Sequence, residues 1–167
     1  NQWPTVGMAR RAGHAAEGDD SAHWPAWKAD VLAYWEACMA LSRALARGLA
    51  LSLGLDEHFF AGALTHPCAQ MVFLRYRNPL LALEGGAAGA GAGTPSALGC
   101  GAHTDCGFLT VLAQDAVGGL EVKHADGRWI DAPPVPGTFV VNLGDMAERW
   151  SGDRYKSTRH RVTYAKV

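Results

Sequence analysis

Residues 101–115 read GAHTDCGFLTVLAQD. The stretch sets an imidazole, His103, two positions before a carboxylate, Asp105, and then runs into the apolar, β-branched sequence FLTVL. On a strand, residues i and i+2 face the same way. The spacing therefore predicts that His103 and Asp105 project together, with Thr104 turned aside. A polar loop ahead of a core strand would give the same pair by chance, so the surrounding chain has to decide whether the pair carries chemistry.

Outward from this stretch, the hydrophobic period is two on either side. From AQMVFLRYR onward, β-branched and aromatic residues come in short runs. They predict strands over Met71–Arg77, Gly101–Thr104, Phe108–Ala113, Leu120–His124, Trp129–Ala132, Thr138–Leu143 and Ser157–Tyr164. The turn signals DAVGG, ADG, PPVPG and SGD separate them. Residues 84–98 are Gly/Ala-rich and read as a flexible surface insertion. Before Pro67 the pattern is helical instead. Val31, Trp35, Cys38, Leu41, Leu45, Leu49 and Ser52 recur at three- and four-residue steps, one face of a long amphipathic helix that Gly54 should stop. Asp56 is placed to cap a shorter helix through EHFFAGAL. A helical block followed by many short strands predicts a mostly β protein, a sandwich or jelly roll with helices packed outside. The whole chain, 1–167, reads as one domain, with 1–67 as helical support and 68–167 as the β core.

Composition narrows the function. The 167 residues carry a net charge of −1, with 49% hydrophobic and 19% charged side chains. A globular domain of this size buries roughly 70% of its unfolded surface. The near-neutral charge and the lack of a basic stripe argue against nucleic acid. No apolar run approaches the ~20 residues that cross a bilayer, and the opening NQWPTVGMARR lacks the apolar centre of a signal peptide. Cys38, Cys68, Cys100 and Cys106 form no Cys-x-x-Cys pair and read as small thiols in a reducing, cytoplasmic setting.

A metal site needs a third ligand. His14, His23, His58 and His66 lie in the helical half, and His124 adjoins the ADG turn. His160 sits in the late strand YKSTRHRVTYA. Early and late strands of a jelly roll can be neighbours, which selects His160. Two imidazoles and one carboxylate on one face of an octahedral metal leave three positions open, as in non-haem Fe(II) oxygenases. A structural zinc would instead close its shell with protein ligands, Cys among them.

Three stretches, GAHTDCGFLTVLAQDAVGGLEV, VVNLGDMAERWSGDRYKSTRHRV and NQWP, resemble the isopenicillin-N-synthase-like family of 2-oxoglutarate/Fe(II)-dependent oxygenases. The resemblance implies a double-stranded β-helix (jelly-roll) core with His103, Asp105 and His160 as iron ligands. It implies a small-molecule substrate, with O2 and 2-oxoglutarate as co-substrates, and hydroxylation, desaturation or ring closure as outcomes. It points to Tyr76, in LRYR, as a hydrogen-bond donor to 2-oxoglutarate, and to Asn142 as a residue lining the site. The family normally carries an Arg-x-Ser motif past the last His. This chain stops at Val167 before it and starts at Asn1 without Met, so the reading expects a fragment whose barrel is incomplete at the C-terminus. The alternative reading is a non-catalytic jelly-roll metal-binding protein or an inactive truncated relative.

Overall fold

The structure is a computed structural model that describes residues 23–76 and 98–164. The chain falls into two compact units, Asn1–Met71 and Val72–Val167. Among the described residues, no helix is long and apolar enough to cross a membrane.

The first unit is built on α1 (His23–Ser52). Its inward stripe follows the predicted face and deepens along the helix to Ala46 and Ala50, then to Leu53 just beyond it. Ser52, expected on that stripe, is exposed. Gly54, at φ 75°, ends the helix: its N–H donates to Leu51 O and that of Leu55 to Ala50 O, the paired bonds of a Schellman stop. The predicted second helix does not form. Asp56 Oδ1 accepts the His58 N–H at 2.8 Å, which closes a local turn, and further turns lead into a 3-10 turn at Gly62–Leu64. The Asp56–His58 bond is the one an N-cap makes, but the backbone behind it closes three-residue turns, Phe59 N–H on Asp56 O and Ala61 N–H on His58 O, in place of an α-helix.

The second unit is two antiparallel sheets. Six strands, β1 (Leu98–His103), β2 (Leu109–Leu112), β3 (Leu120–Lys123), β4 (Trp129–Asp131), β5 (Val140–Leu143) and β6 (His160–Thr163), follow one another with a short helix, α2 (Asp145–Trp150), after β5. One sheet has the order β1-β6-β3-β4 and the other pairs β2 with β5; among the described residues neither closes on itself. The first strand and the last are thus neighbours, and His103 stands directly opposite His160.

Six of the seven predicted strands appear, mostly shorter than the runs that announced them. Residues 71–76 do not form the predicted strand; they carry no strand pairing, and Val72, Phe73 and Leu74 are exposed. Strand propensity is realised only where a ladder partner exists. Arg77 and most of the Gly/Ala insertion, 84–97, lie outside the described residues. Gly144 is the N-cap of α2, and Asp145 is its first residue.

Two glycines set the path into β3. Gly118 and Gly119 have φ of 77° and 100°, and a Cβ on Gly119 would fall 2.3 Å from the Thr163 carbonyl oxygen. That close approach lets Thr163 N–H donate to Gly119 O at 2.8 Å. The approach to β6 is tied down by α2: Glu148 accepts the Ser157 N–H at 2.6 Å and the Lys156 ammonium at 3.0 Å. These donors hold the Glu148 carboxyl below its ordinary range.

Two outcomes follow. Gly119→Ala should lose about 1–3 kcal/mol from backbone conformation alone, before the steric clash is added, and urea unfolding measures it. A depressed carboxyl stabilises the fold above its unfolded-state pKa, and the benefit fades as pH falls through the folded value. Glu148→Gln should therefore melt below the parent at pH 7, with the gap closing below about pH 4.

Candidate metal centre

Asp105 lies past the end of β1, not on it. The strand alternation that predicts its partnership with His103 therefore does not apply; the two meet because Asp105 is held from the other sheet. Its Oδ2 accepts the Thr110 hydroxyl at 2.6 Å and the Asn142 amide at 2.8 Å. Thr110 and Asn142 are directly opposed in the β2–β5 register. The other oxygen, Oδ1, lies 3.5 Å from His160 Nε2 and 3.8 Å from His103 Nε2. Two imidazoles from β1 and β6 and one carboxylate anchored on β2 and β5 thus converge, with one ligand atom from each within 4.8 Å of the others. This is the only such cluster of three among the described residues.

The imidazoles are turned to present Nε2. His103 Nδ1 is 2.8 Å from Gly101 O and His160 Nδ1 is 3.0 Å from Thr158 O. A carbonyl only accepts, so each Nδ1 carries the proton and each neutral Nε2 keeps its lone pair for a metal. The rings stand 4.3 Å apart, tilted by 60°. His160 is nearly enclosed, whereas the His103 side chain is 43% exposed, which opens the centre to solvent on the β1 side. Burial pushes the Asp105 carboxyl up, but the Thr110 and Asn142 donors, joined by positive charge on His160 and His103 when those rings are protonated, outweigh it and hold the group below its ordinary value. The donor set is hard and imidazole-rich, which fits a divalent iron-like ion. Cys100 touches only the far side of the cluster, 3.7 Å from His103 Nδ1.

The backbone of the Asp105 loop is fixed as firmly as its side chain. The N–H groups of Asp145 and Met146, the first donors of α2, bond Asp105 O at 2.7 Å and Gly107 O at 3.1 Å. Gly144 makes this possible: a Cβ there would lie 2.2 Å from Gly107 O and 2.7 Å from Asp105 O. The run Asn142-Leu143-Gly144-Asp145 therefore contributes an amide to the carboxylate, a strand pair, a bare backbone and a helix N–H, all aimed at residues 105–109.

Of the two other predicted site residues, Asn142 supplies the amide on Asp105 Oδ2. Tyr76 lies against Gly99 of β1. Burial first, and Cys100 second, push its hydroxyl's pKa up. Arg161 pairs with Glu121 and lies 4.1 Å over the Trp129 ring, while Arg159 donates to Ala102 O. His124 sits at the β3–β4 turn against Asp126, as its position beside ADG predicts. Sequence reasoning missed Thr110 altogether, because a Thr inside an apolar strand gives no signal of its own.

Residues 68–167 match the 2OG-Fe(II) oxygenase superfamily. The chain is 41% identical over 144 residues to the 2-oxoglutarate-Fe(II) type oxidoreductase ppzC of Metarhizium rileyi, covering 86% of this chain and 38% of that protein. It is 41% identical over 145 residues to homoarginine-6-hydroxylase 2-ODD-C23 of Glycine max, covering 83% of this chain and 40% of that protein. The chain thus spans about two fifths of the length of these curated relatives. Among solved structures it resembles the thymine 7-hydroxylase of Neurospora crassa in complex with alpha-KG and 5-formyluracil, with a TM-score of 0.65 and 31% identity over 91% of this chain and 46% of that one.

Gly144→Ala should force the 105–107 loop away from α2. Overpacking of this kind costs about 1–3 kcal/mol. Urea unfolding should register that loss, and a titration should register weaker divalent-metal affinity in the same variant. Parent-like behaviour in both would mean that the strap does not hold the loop.

Proposed function

The chain belongs to the 2OG-Fe(II) oxygenase superfamily, and from that premise we propose that it is the metal-binding part of a dioxygenase that oxidises a small organic molecule. His103, Asp105 and His160 hold Fe(II) in this reading. The convergence of two Nε2 atoms and one carboxylate oxygen from separate strands carries it. Fe(II), bound with 2-oxoglutarate and O2, would supply the oxidation: the 2-oxo acid leaves as succinate and CO2 with one oxygen atom of O2, and the other goes to the substrate in hydroxylation or to water in desaturation and ring closure. Hydroxylation, desaturation and ring closure are the outcomes open to such chemistry. The oxygenase domain comprises both units, with the helical one as support for the jelly-roll core.

The protein's own groups do four things here. The Nδ1–H bonds to Gly101 O and Thr158 O fix both imidazoles in the tautomer a metal requires. Asp105 brings one negative charge, so a divalent ion keeps net positive charge toward an anionic co-substrate. Three protein ligands leave half of an octahedral sphere free for co-substrate and O2. The exposed flank of His103 gives both a way in. Tyr76, on that same strand side, is the donor we assign to a 2-oxoglutarate oxygen; Asn142 borders the same space from β5. A substrate of small-molecule size accords with the named relatives, one of which is a homoarginine hydroxylase. We assign the protein to the cytoplasm, from its unpaired thiols.

His103→Ala and His160→Ala should each abolish tight Fe(II) binding in an anaerobic titration, because two remaining ligands hold the ion weakly. The parent, supplied with Fe(II), O2 and 2-oxoglutarate, should release succinate. Fe(II) affinity equal to the parent's in both His variants would sink the ligand assignment; metal binding without succinate would leave a metal protein that is not an oxygenase.

A further inference from the structure

We propose that Thr110 and Asn142 are positioning residues: together they clamp Oδ2 of Asp105, so that the carboxylate offers only Oδ1 to the metal. The inference rests on the reading of His103, Asp105 and His160 as ligands. A carboxylate has two oxygens with about four acceptor sites in all. The hydroxyl at 2.6 Å and the amide at 2.8 Å both fall on one oxygen. Only Oδ1 then faces His160 and His103. The amide must present Nδ2 here, since a carboxylate without a proton can only accept.

The clamp is rigid for a reason that lies outside the loop. Thr110 and Asn142 form a cross-strand pair on one face of the β2–β5 ladder. Asp105 itself is in a non-strand segment, its carbonyl held by the Asp145 N–H of α2. Its side chain is thus oriented by two donors on the β2–β5 ladder. Without them Oδ2 is free to rotate toward the metal and chelate it, which fills a position that the co-substrate or O2 needs. The clamp thereby keeps the open half of the sphere open. It gives the Thr of FLTVL and the Asn of NLGD a single joint role.

The test uses the 167-residue chain and its variants Thr110→Val, Thr110→Ser and Asn142→Ala, each checked for folding by near-ultraviolet circular dichroism. Two readouts are taken: Fe(II) affinity by anaerobic titration, and the visible absorption of the Co(II)-loaded protein, which reports coordination number. Loss of a partner of a metal ligand typically weakens metal binding about 10- to 100-fold. Thr110→Val and Asn142→Ala should show that loss and an altered Co(II) spectrum, while Thr110→Ser, which keeps the hydroxyl, should match the parent in both. Parent-like affinity and spectrum in a folded Thr110→Val or Asn142→Ala overturn the proposal. So does loss of folding in both alongside a folded Thr110→Ser, because the pair then serves the fold alone. A parent that binds neither Fe(II) nor Co(II) overturns the underlying ligand reading, and the clamp with it.

Discussion

The structure of the second unit depends on one partly buried carboxylate. Asp105 is bonded through Oδ2 to the β2–β5 sheet and turned through Oδ1 toward the histidines of the β1–β6 pair. A charge taken out of water must be hydrogen-bonded or paired, or it neutralises itself. Here both conditions are met by groups from different sheets. The carboxylate of the candidate metal centre therefore also links the two layers, and neither sheet can shift without disturbing the site.

The neighbouring backbone obeys the same constraint. The first N–H groups of α2 would be unsatisfied at a helix start. They are satisfied by the carbonyls of Asp105 and Gly107, across a contact that only glycine at 144 allows. Gly119 serves the other sheet in the same manner, passing so close to Thr163 that no side chain fits between. Glu148 then joins α2 to the segment that delivers His160. The motif residues of this chain are thus spent on holding His103, Asp105 and His160 in place.

Much of this was legible in the residues. His-x-Asp before an apolar run, a late strand carrying His160, and the change of period at Pro67 point to the centre and to a β core. What failed did so for local reasons. Met71–Tyr76 has strand composition and no ladder, so it stays irregular. The Asp56 segment has helical composition and its cap bond, yet its backbone closes successive turns. Asp105 was expected on a strand face and lies beyond the strand end.

The sequence by itself determined which side chains could bind a metal, because ligand chemistry belongs to residue types and not to their placement. It also determined the long helix, the hairpin turns and the glycines, which are local consequences of period and backbone freedom. Only the tertiary structure decided that β1 pairs with β6 so that His103 meets His160. It alone decided that a Thr and an Asn, 32 residues apart by number (110 to 142), meet on one oxygen of Asp105. Contacts of that kind are set by strand register across sheets, and register is fixed by the packing of the whole core, which no short window of sequence contains.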